Sequence, residues 1–449
     1  MINNNIATTD AELHHKKKTN KRNGCAFFVW AQLLTQLSIT VAITVYTIIQ
    51  NNRDQSIAQA NRQQDIYLAN EMRNKDLDIA QENRLNDILI AYDHQRENIL
   101  IEYQNFVSDL LNKYGITLND SAARFVSRFK TLAALQQLNP ARRTFLIRSL
   151  IEAKLVTYND NLTPSLVSPI IQLATANLSE IDLSETSDSA FVSQLASCLA
   201  FDSTILNRAL FRRKHLTGST FIDAKLNYAD FSSSIIGFLN ECSNQRITAK
   251  ISVSFKDADM SYVNFYKAFI DNVEFIFARM IGANMTNTIF GHEINFAHTI
   301  LAESNFYMAQ FTDGRFVFYH ANMTSFNGTR AIFNKCSFYE TLLFNCSLIY
   351  SIINQSSFTA ANMTNCQLNN AQLTNVDFRR ANLNNVDMSN IICVANCSFS
   401  GTDLTGAILH NATIMSSNLL TATFTNQQLG QTRTLAGSTL PNGTVVPMT

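Results

Sequence analysis

AIFNKCSFYETLLFNCSLIYSIINQSSFTAANMTNCQLNNAQLTNVDFRRANLNNVDM, residues 331–388, sets a large apolar residue at every fifth position: Phe333, Phe338, Leu343, Leu348, Ile353, Phe358, Met363, Leu368, Leu373, Phe378, Leu383 and Met388. An α-helix repeats about every 3.6 residues and a strand every two, so neither produces this period. Two residues before each large side chain stands a compact one, from Ala331, Cys336 and Thr341 to Ala381 and Val386, and Asn, Thr, Ser and Asp fill most of the remainder. Two inward positions in five, one large and one small, describe a chain that turns a corner at each repeat around a narrow core. A single coil of this kind buries little, so coils must stack on one another.

Outward from this stretch, the period runs upstream through Leu206, Phe211, Leu216, Phe221, Leu226, Phe231 and Ile236, and resumes at Phe255, Met260 and Phe265. Downstream it continues through Leu404, Leu409, Ile414, Leu419, Phe424 and Leu429. It breaks between Gly237 and Ser254, and slips by one or two residues near Phe296, Phe318 and Phe399, where extra residues must bulge at a corner. Ala361-Asn362-Met363-Thr364-Asn365, Ala371-Gln372-Leu373-Thr374-Asn375 and Ala381-Asn382-Leu383-Asn384-Asn385 resemble the A-(N/D)-L-x-x consensus of the pentapeptide-repeat family. The resemblance implies a β-solenoid, a right-handed quadrilateral pentapeptide-repeat β-helix with four repeats per coil. It is expected over residues 176–429, irregular at 184–200 and 237–254, with a C-terminal tail at 430–449.

Residues 1–25 are polar and basic, with His14-His15-Lys16-Lys17-Lys18, and are expected to be disordered. Residues 26–49 contain no Asp, Glu, Lys or Arg. As a helix they would reach about 36 Å, enough to cross a hydrocarbon layer of about 30 Å. The expectation is a single-pass membrane protein held in a lipid bilayer through 26–49. The basic N-terminal flank places the N-terminus in the cytoplasm and the repeat domain on the opposite side.

Residues 50–114 contain no Pro and no Gly, and repeat every eleven residues: Ile57, Leu68, Ile79, Ile90 and Ile101 form one row, Ile66, Leu77, Ile88, Ile99 and Leu110 another. An eleven-residue period is about 3.67 residues per turn, so each row runs nearly straight along a helix. The rows lie on nearly opposite faces. One helix cannot bury both, and self-association through 51–114 into a coiled-coil stalk is expected. Gly115 stops the helix, and Asp120 or Ser121, then Asn139-Pro140, signal two shorter helices in a helical neck over 119–157. Segments 131–143 and 146–156 resemble the helical pair that precedes the repeats in membrane-anchored members of the family.

Lys plus Arg equals Asp plus Glu, 35 each, so no global basic field recommends nucleic acid as a partner. Some pentapeptide-repeat proteins mimic DNA, but Lys225, Lys256, Arg279, Arg379 and Arg380 interrupt the acids here. No phosphate-cradling loop or nucleophile elbow occurs, and no C-x-x-C pair. His292 and His298 fit no standard ligand spacing and are expected to be surface residues. Cys336, Cys346, Cys366 and Cys397 occupy the small inward slot, and stacked Cys346 and Cys366 are expected as free thiols. Arg142, Arg143, Arg148, Arg212, Arg213 and Lys214 form the densest basic cluster, expected to be solvated. No catalytic, cofactor-binding or metal site emerges. The expectation is a scaffold whose rod meets an unknown protein partner.

Overall fold

The computed structural model describes residues 24–115, 118, 120–157, 169–185, 198–237, 253–312 and 314–448. Two compact units divide the chain, Met1–Ala91 and Tyr92–Thr449. Most of residues 1–25 and of the two irregular stretches, 184–200 and 237–254, lies outside the described residues.

The described residues of the first unit are helix. Helix α1, Gly24–Tyr114, begins there and ends in the second unit. One expectation is corrected: among the described residues no helix is long and apolar enough to cross a membrane, so a single-pass protein with a bilayer partner is not supported. Freedom from charge is not the same as apolarity. Gln32, Thr35, Gln36, Ser38, Thr40, Thr44 and Thr47 interrupt the aliphatic residues of 26–49. The hydroxyls of Thr40, Thr44 and Thr47 turn back to the carbonyls of Gln36, Thr40 and Ile43 at 2.7 Å each. The side chains of residues 26–31 and 33 lie outside the described residues.

In the second unit, the end of α1 packs with α2 (Ser121–Gln137) and α3 (Pro140–Glu152). Asp120 caps α2 by accepting from the Ala122 N–H, and Asn139 caps α3 by accepting from the Arg142 N–H, with Pro140 where a missing N–H costs nothing. Leu100, Tyr103 and Leu110 of α1 are buried here with Leu135, Leu146, Ile147 and Leu150.

The repeats form a β-solenoid. One wall shows its register: Ile205 pairs with Lys225, Asp259 with Arg279, Arg279 with Ile300, Ile300 with Asn322, Asn322 with Leu342, then Asn362, Asn382 and Asp403, all parallel. Most steps are 20 residues, hence four repeats per coil. The steps of 21 and 22 at Ile300, Asn322 and Asp403 are the corner slips read from the sequence. Each repeat spends its backbone bonds on the neighbouring coils: Leu343 N donates to Asn362 O at 2.8 Å, and Asn362 N to Thr341 O at 3.0 Å.

Corners explain the abundant Asn. The second residue after most of the large side chains adopts a left-handed conformation, as at Asn345, Asn365 and Asn385 with φ of 57°, 60° and 55°. Asn tolerates this region better than most residues. Inside, the large positions stack coil on coil: Phe338, Phe358, Phe378 and Phe399 have ring separations of 4.5, 5.3 and 5.1 Å.

Both ends of the stack are closed. Arg143 and Arg148 of α3 donate to carbonyls of the first coil, Arg143 to Asn177 and Ser179 at 3.3 Å and Arg148 to Asp182 at 2.9 Å and Ser184 at 3.1 Å. At the far end Gln428, on the short helix α4 (Asn426–Gly430), donates to the carbonyls of Leu404 and Ala407 at 2.8 and 2.9 Å. Open solenoid ends present unpaired backbone groups, and these side chains occupy them.

Candidate interaction surface

Every fifth-residue repeat also points a side chain outward from each wall, and the four walls differ. One carries Asp230, Asn264, Asn284, Asn305, Asn327, Ser347, Gln367 and Asp387 in register. Its amides form a ladder, with Asn264 donating to Asp230 at 2.9 Å, Asn284 to Asn264 at 2.9 Å and Asn327 to Asn305 at 3.0 Å. A second carries Ser254, Glu274, Asn295, Val317, Ser337, Ser357 and Asp377. A third mixes Lys225, Asp259 and Arg279 with Ile300, Asn322 and Leu342.

The fourth wall is apolar. Ile235, Phe269, Ile289, Gln310, Ile332, Ile352, Gln372, Ile392 and Thr413 follow one another across its nine-stranded parallel sheet. Phe269 and Ile289 are each 40% exposed and Ile392 45%, while Ile332 and Ile352 are half-buried. Tyr266, Met308, Tyr350 and Val394, also exposed, flank the row.

A groove of about 490 Å³ lies on the Ser254–Asp377 wall, lined by Asn272, Glu274, Glu293, Asn295, Arg315 and Tyr319. The corner beside it is thickened by the slips. Gly314 sits so close to the preceding coil that a Cβ there would fall 2.0 Å from the His292 carbonyl. None of these lining residues was singled out from the sequence. The available signal was that two consecutive coils slip at the same corner.

The histidines are engaged with neighbours on the surface: His292 Nδ1 lies 3.0 Å from Asp271 Oδ1, and the His298 ring stacks between Phe277 at 4.8 Å and His320 at 5.0 Å. Among the described residues no group of three or more His, Cys, Asp or Glu is placed to hold a metal ion. In the basic cluster Arg148, Arg212 and Arg213 are exposed, and most members are also engaged by neighbours. Arg142 binds Asp93 at 2.7 and 3.0 Å and Glu97 at 3.0 Å, Arg143 and Arg148 cap the first coil, Arg212 binds Asp230, and Lys214 reaches Glu185 at 3.1 Å.

Charge states follow these contacts. Burial raises the Asp230 and Asp377 carboxyls, but bonds from Arg212 and Ser232, and from Arg379, outweigh it and hold both below the usual range. Burial pushes Tyr103 up to about 12 against its bond with Thr131. Burial likewise drives the Cys336 thiol well up, which leaves it inert. The expectation of free thiols at Cys346 and Cys366 is corrected. The structure joins them as a disulfide across a Cα separation of 4.6 Å, and joins Cys393 to Cys397 across the corner that slips before Phe399. Stacking sets a Cα spacing that a disulfide spans, and the side chains need only rotate toward each other.

One comparison with known proteins finds the repeat. The pentapeptide-repeats family matches residues 253–291, 351–391 and 394–426 in eight copies. No curated protein matches the chain. Among solved structures, HetL, a pentapeptide repeat protein involved in heterocyst differentiation regulation from the cyanobacterium Nostoc sp. strain PCC 7120, is 22% identical, over 60% of this chain and 91% of that one, with a TM-score of 0.21. QnrB1, a plasmid-mediated fluoroquinolone resistance protein, is 12% identical, over 60% of this chain and 92% of that one, with a TM-score of 0.28. The repeat register, rather than either likeness, identifies the architecture: over residues 253–291, 351–391 and 394–426 this chain is built of pentapeptide repeats.

Proposed function

We propose that the chain is a non-catalytic interaction protein that presents its solenoid to a protein partner, with the helix over 51–114 bringing copies of the chain together. The contrast between walls supports this. Asn, Ser and Asp dominate two outward rows, whereas the Ile235–Thr413 row keeps six aliphatic or aromatic residues of nine. Scattered surface hydrophobics need no explanation, but apolar residues gathered on one wall do. β-branched residues suit a sheet, so propensity contributes to the choice of Ile. Propensity alone would favour Ile equally on the neighbouring walls.

A photo-crosslinking amino acid placed at Ile289, and separately at Ile352, tests the wall in the native cell. One protein product common to both, and missing when the crosslinker replaces Asn284 on the amide wall, is the expected outcome. Equal labelling from both walls, or none from either, contradicts the proposal.

A ligand-binding module is the second reading, favoured by the groove at Glu274, Glu293 and Arg315. A mimic of DNA is less well supported, because Lys225 and Arg279 share a wall with Asp259 and Asp403.

A further inference from the structure

The two apolar rows of α1 do not end alike. Ile99 and Leu110, last members of one row, pack into the core of the second unit, with Leu110 only 7% exposed. Ile101, last of the other, stays 47% exposed although its neighbours Leu100 and Tyr103 are buried at 7% and 4%. At about 98° per residue, Leu100, Tyr103 and Leu110 lie between about 98° and 198° around the helix from Ile101. Within the second unit the neck therefore packs on the side of α1 away from Ile101. The Ile57 row is uncovered throughout: Ile57 is 53%, Leu68 43%, Ile79 56% and Ile90 55% exposed.

We infer that the occupant of this row is the same row of a second copy of the chain, lying parallel and in register. The inference rests on the self-association proposed above and names its contact. An apolar row that recurs every eleven residues over 44 positions is matched along its length only by a helix of the same period, and α1 supplies one. Asn61, Asn83 and Asn105 each stand four residues after a row member, about 30° from it. A parallel partner sets every row residue beside its counterpart and every Asn beside an Asn, so each amide finds a donor and an acceptor. An antiparallel partner that sets Ile57 opposite Ile101 places Asn61 opposite Glu97 and Asn83 opposite Lys75. No antiparallel shift aligns both sets, because the two offsets differ by eight residues in a period of eleven. Polar residues within an apolar seam commonly fix register in this way.

The test uses the full chain in solution. Sedimentation equilibrium on Leu68→Glu/Ile79→Glu should show the mass halved relative to wild type, while Ile66→Glu/Leu77→Glu keeps the wild-type mass, with helix content checked by circular dichroism. Loss of association in the second variant but not the first overturns the choice of row. A monomeric wild type at tens of micromolar overturns the self-association itself. Direction is read by oxidative crosslinking: Leu68→Cys should form an interchain disulfide with itself. Failure of that bond, with crosslinking only when Leu68→Cys is mixed with Ile90→Cys, overturns the parallel register.

Discussion

The guanidinium of Arg148, on helix α3, donates to the carbonyl oxygen of Asp182 at 2.9 Å, in the first coil of the solenoid. Three elements of the chain meet in this bond: the neck that carries the arginine, the coil that offers the carbonyl, and the open edge that would otherwise face water. A hydrogen bond to a charged group contributes about 1.5–3 kcal/mol, less where solvent competes. Arg148→Met, which keeps the apolar stem, should cost about 1 kcal/mol and speed amide exchange of Leu178 and Leu183 without affecting coils beyond Phe255. Uniform exchange in the variant would show that α3 does not close the stack.

The Phe338, Phe358, Phe378 and Phe399 column fills one inward slot of four successive coils. Phe358→Ala opens a cavity that rigid neighbouring coils cannot collapse, and should cost about 3–5 kcal/mol in denaturant unfolding. Ile352→Thr, one wall-facing residue on the same coil, should change stability by less than about 1 kcal/mol. Comparable losses at the two sites would contradict the inward and outward assignment.

Acid should weaken the protein through Asp230 and Asp377, whose carboxyls are held low by Arg212 and Arg379. A lowered folded value means the unfolded chain binds protons first, so the contribution is complete above the unfolded value of about 3.9 and disappears as pH falls through the lowered folded value. Arg212 is exposed, so solvent screening limits the pair to about 0.5–1 kcal/mol. Arg212→Gln should therefore have a lower urea midpoint than wild type at pH 7, with the gap closing near pH 2. A gap that persists in acid would assign the effect to packing of the arginine stem instead.

Non-reducing peptide mapping should find Cys346 linked to Cys366 and Cys393 linked to Cys397. By loop-entropy reasoning a bond closing 20 residues stabilises by about 3 kcal/mol. Reduction should lower the thermal midpoint, and Cys346→Ala/Cys366→Ala should remove most of that sensitivity. Two free thiols at 346 and 366 in protein prepared under oxidising conditions would contradict the assignment.

The solenoid is legible in the sequence because an inward slot is a severe steric filter: Leu343, Met363 and Leu383 can be exchanged for one another but not for Asn. Outward positions are under no such filter, and the apolar wall is correspondingly hidden. Ile332 and Ile352 are 20 apart, but the corner slips separate Ile289 from Gln310 by 21 and Gln310 from Ile332 by 22, so a fixed period loses the row. The groove at Glu293 and Arg315 arises from those same slips. The contacts of the basic cluster are hidden for a different reason, since nothing local in the sequence tells Arg148 that a coil edge 34 residues away lacks hydrogen-bond donors. At 26–49 the absence of charge concealed a run of Thr and Gln that dilutes the apolar residues.

Spin-label distances along one wall test the stacked register most directly. Labels at Arg279 and Asn362 are four coils apart, and labels at Arg279 and Asp403 six. With coils rising by about 4.8 Å, the expected separations are about 19 Å and 29 Å, a difference of about 10 Å. Separations that fail to grow with the number of intervening coils would mean that the bulky fifth residues do not wind the chain into a column, and the walls described above would not exist.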